Sequence, residues 1–339
     1  MMDLNALWFA LVAVLFTGYA ILDGFDLGVG ILHLFAGEEA HRRLYINAIA
    51  PVWDGNEVWL LTGGGALFAA FPVVYATVFS GFYLALMILL AALIFRAVAM
   101  EFRGKVDAPR WRLAWDWAFG LGSAVPALLF GVAYGNILQG VPVERGGIYA
   151  GSFLGLLTPY PLLVGILAVA TFTMHGAIYL TMKTEGSLRQ KLVRWASRIW
   201  MAVFSLYVLA AFGTIFAAPF LTEGLGGNLF FWWLLVLLLV MMMAIPGLLA
   251  GAKFGRAFVA SCVSIACMMG ISALGLFPRF VPSSIDLEYS LTAYNASSSP
   301  MTLTTMLIIA GIGMPLVIGY SIVIHRVFRG KVVLTPDSY

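Results

Sequence analysis

The chain has 339 residues, of which 62% are apolar and 10% charged, with a mean hydropathy of +0.97; a water-soluble domain carries roughly 25% charged residues, so the chain belongs in a membrane. Its net charge of +3, without a basic or acidic tail, excludes nucleic acid as a partner. Cys262 and Cys267 lie five apart in one apolar run, which supports neither a disulfide framework nor a zinc site.

A hydrocarbon layer about 30 Å thick takes roughly 20 apolar residues per helix. Nine runs of that kind follow one another: Ala6 to Leu34, Pro51 to Phe71, Val73 to Met100, Arg112 to Leu138, Tyr160 to Met182, Trp195 to Pro219, Leu229 to Leu249, Arg256 to Phe277 and Leu303 to Val327. The first is too long, and too poor in small residues at its end, for a removable signal peptide, so it is read as a mature span. Pro278 to Thr302, rich in Ser, Thr, Asn and Pro, reads as an outer loop too short for a domain. Residues 1–339 are therefore expected to form a single polytopic domain.

Lysine and arginine collect in the inner loops of membrane proteins. With nine spans and the N-terminus outside, the segments around residues 42–43, 96–112, 183–198, 253–256 and 326–331 fall inside and hold 17 of the 19 cationic residues. Arg145 and Arg279 fall outside. Fusing the second and third runs destroys this alternation, so charge supports nine spans independently of hydropathy. The C-terminus is then cytoplasmic.

An ionised side chain at a helix centre costs roughly 2.5 to 3.5 kcal/mol, so each one requires a partner, a wet cavity or a purpose. Asp23 and Asp26 stand in the first run, Asp54 and Glu57 open the second, and Arg96 lies late in the third. The orientation brings all five to the inner part of the bilayer. Each acidic pair is three residues apart and shares a helix face. Gly24 and Gly28 form a GxxxG on the first helix, and Gly63, Gly64 and Gly65 strip side-chain bulk from the second, so close approach of those two helices is expected. Between desolvation and a nearby guanidinium, such carboxyls can take up and pass on protons.

Plainer roles compete at each position. Asp54 and Glu57 can complement the dipole of a helix opened by Pro51, Arg96 can snorkel to the interface, and Asp23 and Asp26 can form an internal ion pair with Arg96. Asp116, preceded by Trp115 at a helix start, reads first as a terminus residue and only second as part of a relay. His175 reads as a buried hydrogen-bonding side chain. His33, His41 and His325 lie near inner ends, so no two histidines face each other across the bilayer to hold a haem, and no metal site is expected in this chain.

DGFDLGVG from Asp23 to Gly30 and APVWDGNEVWLLTGGGALFAAFP from Ala50 to Pro72 closely resemble subunit II of the cytochrome bd quinol oxidases. GFYLAL from Gly81, Phe95-Arg96, WDW at Trp115 to Trp117, YGNILQGVP from Tyr134 to Pro142 and FPRFVPSS from Phe277 to Ser284 extend the resemblance along nearly the whole chain. Beyond Pro142 the later helices match mainly in hydropathy and order. The resemblance implies an all-α bacterial inner-membrane protein with nine helices in two four-helix bundles plus one peripheral helix. It implies a partner, subunit I, that holds two b-type haems, one d-type haem and the quinol site, while subunit II ligates none. Family complexes can include a small single-helix subunit, and some carry a structural quinone in subunit II.

The implied complex oxidises quinol, reduces dioxygen to water and builds a proton-motive force among membrane lipids. Protons for the haem must cross apolar protein, and Asp54, with Asp26 close behind, is expected to line a cytoplasmic inlet, Arg96 and Asp23 setting their charge. Glu57 is a weaker member, because an amide fits the motif nearly as well. The alternatives are a purely structural scaffold for subunit I and a stand-alone secondary transporter; the latter requires midplane acids and an inverted repeat, and no repeat is visible here.

Overall fold

The computed structural model describes residues 3–334. Helix α1 spans Leu4–His33; its entry is fixed by Asp3, whose carboxylate accepts the amides of Asn5 and Ala6 at 3.0 and 3.1 Å, satisfying donors that a helix start leaves open. A short helix, α2 (Glu39–Ile49), follows. It lies in what reads from sequence as loop, and it buries Tyr45, Ile46, Ala48 and Ile49.

The next two predicted runs appear as three helices: α3 (Trp53–Ala70), α4 (Pro72–Gly81) and α5 (Tyr83–Phe102). Pro72 starts α4 at the position where its missing N–H costs nothing, which places the first break as expected. The second break, at Phe82, follows Ser80 and Gly81 and divides one apolar run into two helices.

Then come α6 (Pro109–Gln139), the paired strands β1 (Val143–Glu144) and β2 (Ile148–Tyr149), α7 (Pro159–Lys183), α8 (Gly186–Ala217), α9 (Leu229–Ala250) and α10 (Phe254–Leu276). The antiparallel strands β3 (Arg279–Val281) and β4 (Leu291–Thr292) precede α11 (Pro300–Val327). A bridge between Val141 and Ser283 ties the two strand-bearing loops together, with Ser284 N donating to Val141 O at 2.9 Å.

Among the described residues, eight helices are long and apolar enough to cross a membrane: α1 and α5 through α11. Helix α3 is not among them, since its opening turns carry Asp54, Asn56 and Glu57. The bundle is centred on α1 and α7. Helix α1 packs against α7, α6 and α3, and α7 lies between α6 and α8.

Helix α11 hardly enters this core. Leu303 is its buried residue. Trp8 Nε1 donates to Leu303 O at 3.0 Å near one end, and Lys183 Nζ donates to Phe328 O at 2.7 Å near the other. Val332 N also donates to Lys183 O at 3.0 Å.

The glycines expected to join α1 to the next helix serve a different contact. A side chain at Gly24 would meet the Phe172 ring, and one at Gly28 would meet the Phe172 carbonyl and the Gly176 backbone, so both lie against α7. The α1 to α3 approach runs instead through Gly18 under the Trp59 ring, and through Gly63, where an added Cβ would sit 3.2 Å from the Phe16 ring. Gly64 and Gly65 have open space beside them. A GxxxG signals close backbone approach without naming the partner.

Gly28→Ala is expected to destabilise the protein by about 1–3 kcal/mol because backbone must move to admit the methyl group. Gly64→Ala is expected to be near neutral. Thermal unfolding of the two purified variants checks the contrast.

Candidate functional site

Asp23 and Asp26 on α1 meet Asn56 and Glu57 on α3 where a further helix, α5, supplies a cation. Arg96 forms a two-pronged pair with Asp23, Nη2 to Oδ1 at 2.7 Å and Nη1 to Oδ2 at 3.1 Å. Its Nη1 also donates to Glu57 Oε1 at 2.8 Å. Both Arg96 and Asp23 are buried, whereas the Glu57 side chain keeps 20% of its surface exposed. Asp26, one turn along α1, is fully buried; its Oδ2 accepts from Asn56 Nδ2 at 2.7 Å, and the same amide group reaches Leu22 O at 3.2 Å.

Placement of the expected residues is uneven. Asp23, Glu57 and Arg96 are brought into one ion cluster, with Asp26 beside it. The snorkelling reading of Arg96 does not describe a guanidinium buried against two carboxylates. Asp54 is exposed on the side of α3 that faces away from the bundle and makes no hydrogen bond to the cluster. The glycines 24 and 28 back this site by letting α7 close against α1, not by admitting α3.

Asn56 was missed by sequence reasoning because an uncharged amide in an opening turn carries no charge anomaly. Its signal was positional: it lies between Asp54 and Glu57 in a helix that must meet Asp26.

Asp116 is the larger correction. It does not sit in the first turn of α6, which contains no acid, and so it does not act as a dipole partner there. It is the buried centre of a second cluster, where His33 Nε2, Arg42 Nη1 and Arg103 Nε each approach a carboxylate oxygen at 2.5 Å. Arg103 also grips Glu39 with Nη1 and Nη2 at 3.0 and 2.7 Å. The assembly joins α1, α2, α6 and the turn after α5. Through its hydrogen bonds, Arg103 holds the Glu39 carboxyl below its ordinary range.

His175 is a satisfied core residue. Its Nε2 lies 3.1 Å from Ile21 O and must donate there, leaving Nδ1 to accept from Ser261 Oγ at 2.9 Å. The ring stacks on Phe258 with centroids 4.7 Å apart. His33 is engaged by Asp116, and His325 Nδ1 by Ser321 O at 2.9 Å. These histidines do not offer an opposed pair for haem ligation, and no cluster of His, Cys, Asp and Glu among the described residues is arranged to hold a metal ion.

A family model described as cytochrome bd terminal oxidase subunit II matches residues 4–328. The chain is 39% identical over 356 residues to the cytochrome bd-I ubiquinol oxidase subunit 2 of Escherichia coli strain K12, covering 94% of this chain and 92% of that one. It is 38% identical over 333 residues to the cytochrome bd ubiquinol oxidase subunit 2 of Bacillus subtilis strain 168, covering 98% of each. A probable cytochrome oxidase subunit 2 of Haemophilus influenzae is 39% identical over 350 residues, covering 94% of this chain and 92% of the relative. In fold, the chain is similar to a chain in the structure of bd oxidase from Geobacillus thermodenitrificans, with a TM-score of 0.81, 18% identity, and coverage of 96% of this chain and 99% of that one.

Proposed function

The chain belongs to the cytochrome bd terminal oxidase subunit II family, and from that premise we propose that it supports a haem-bearing subunit I and lines a proton inlet from the cytoplasm to the site of oxygen reduction. It is a multi-pass protein of the bacterial inner membrane and a subunit of a quinol oxidase complex. In the proposed topology the whole chain is one polytopic unit of nine spans in two four-helix bundles and a peripheral helix. Helix α3 is the second span and α4 with α5 the third, the N-terminus lies outside, and the cation-rich ends face the cytoplasm.

Two b-type haems, one d-type haem and the quinol site belong to subunit I in this reading. A small single-helix subunit and a structural quinone are further components the family allows. The haems supply the oxygen chemistry; this chain's residues hold and move protons.

One observation carries the inlet: Asp23 and Glu57 share the single guanidinium of Arg96, and a third carboxyl, Asp26, is buried one turn along α1 with Asn56 as its hydrogen-bond partner. One cation cannot neutralise three carboxylates in a low-dielectric interior, so the cluster gains by holding a proton. Glu57 keeps a partly exposed edge and Asp54, one turn earlier on α3, is exposed. Asp54 would admit protons from water, Glu57 would pass them inward, and Asp23 with Arg96 would set the field felt by Asp26. Asp116, locked by two arginines and a histidine, fits a structural role better than a step in the relay.

Asp54→Asn is expected to slow quinol-dependent oxygen uptake by roughly a hundredfold, the lower end of what loss of a proton-transfer group costs. Haem spectra of the purified variant should show full loading. Unchanged turnover in that intact complex would overturn the inlet and leave the scaffold reading, which the two-pronged Asp23 to Arg96 pair favours.

A further inference from the structure

A cavity of about 500 Å³ opens where the end of α7 and the start of α8 meet the turn between α9 and α10. Arg189, Lys253 and Arg256 line it, together with Thr181, Met182 and Phe254, and among the described residues no acidic side chain does. The nearby acid, Glu185, is engaged by Lys331. Among the described residues, three cations therefore share the recess with no carboxylate lining it.

The recess is built by the chain and not by loose side chains alone. Arg189 Nε donates to Thr184 O at 2.7 Å, and its guanidinium lies 5.3 Å from the centre of the Phe254 ring, so one cation is held in place before any ligand arrives. The turn is closed by Lys253 N donating to Leu248 O at 2.8 Å, with Ala252 in the left-handed region at φ 54°. That conformation is costly for a residue with a Cβ. It sets Lys253 and Arg256 beside the Arg189 wall, at the start of α10, where backbone N–H groups add positive potential.

We infer that this recess binds the phosphate of an anionic phospholipid. Arginine and lysine at the end of a membrane span suit a phosphodiester. Along the same helices, exposed apolar side chains lie nearer this end of the spans: Met201 on α8, Met243 on α9 and Val259 on α10. Acyl chains can lie along them while the headgroup sits among the cations. A free phosphate would use the cations and leave the apolar walls unused. The inference is independent of the proton inlet, and it holds whichever face of the membrane this end occupies.

The test uses the intact complex, stripped of lipid in detergent and titrated with dioleoyl phosphatidylglycerol, dioleoyl phosphatidylcholine or inorganic phosphate, with bound lipid counted by native mass spectrometry. The wild type is expected to retain phosphatidylglycerol in preference to phosphatidylcholine. The double variant K253Q/R256Q is expected to bind phosphatidylglycerol roughly tenfold more weakly or worse, given what each cation contributes near a membrane surface, with haem content and turnover unchanged. Arg256→Lys, which keeps the charge, should bind nearly as the wild type does, and Lys253→Gln alone should show part of the loss if the double variant assembles poorly. Equal retention by the wild type and the charge-removing variants would overturn the site. Displacement of the lipid by an equal concentration of inorganic phosphate would overturn its assignment to a phospholipid.

Discussion

Arg96→Gln is expected to cost about 3–5 kcal/mol, the range for breaking a buried ion pair by removing one partner. Glutamine leaves Asp23 fully buried without its two-pronged donor and Glu57 without its 2.8 Å contact. The variant should yield little assembled complex, and what is purified should unfold at a clearly lower temperature. The triple variant R96Q/D23N/E57Q removes the stranded charges as well and should regain most of the loss. Wild-type stability in the single variant would show that the guanidinium does not hold this cluster together.

Asp116→Asn is expected to have an effect of similar size, about 3–5 kcal/mol, because one carboxylate serves Arg42, Arg103 and His33 at once. An amide of the same shape can accept at only one atom and presents a donor to the cations at the other. Denaturant or thermal unfolding should report this loss with helices α1, α2 and α6 loosening together. Glu39→Gln gives the contrast: its side chain is 45% exposed, and an exposed pair contributes under about 1 kcal/mol. The Glu39 carboxyl is held low by Arg103, so its contribution is fully present above the ordinary carboxylate range and disappears only as pH falls through the lowered value.

Helix placement was legible because lipid demands long apolar runs, and each of the eight long apolar helices overlaps one read from the chain. Two features lay beyond that signal. The break at Phe82 interrupts a run whose hydropathy continues across it, and its local mark, Ser80-Gly81, is one that a count of apolar residues passes over. Helix α2 is too short and too polar to register as a span, and its Tyr45 and Ile49 are buried by contacts distant in sequence.

The acidic cluster was partly legible. Spacing of three placed Asp23 with Asp26, and Asp54 with Glu57, on common faces, and depth predicted their meeting with Arg96. Spacing could not say which acid of α3 turns inward. Asp54 was favoured and Glu57 makes the contact, since rotation of α3 about its axis is fixed by Trp59 over Gly18 and Phe16 against Gly63. Asp116 escaped for a related reason: His33, Arg42 and Arg103 come from three separate segments, and no local pattern announces them.

The middle of α11 has a mechanical meaning of its own. Its two ends are fastened through Leu303 and Phe328, while Gly311, Gly313 and Gly319 have no neighbouring atoms beside them and Ile312 and Leu316 are exposed. Pro315 lies in that stretch and removes one hydrogen bond of the helical ladder. A rod pinned at both ends and thinned at its centre yields at its centre, so bending compliance is concentrated between residues 311 and 319. Curvature imposed by a thinner bilayer would fall on that stretch before it reached either anchor.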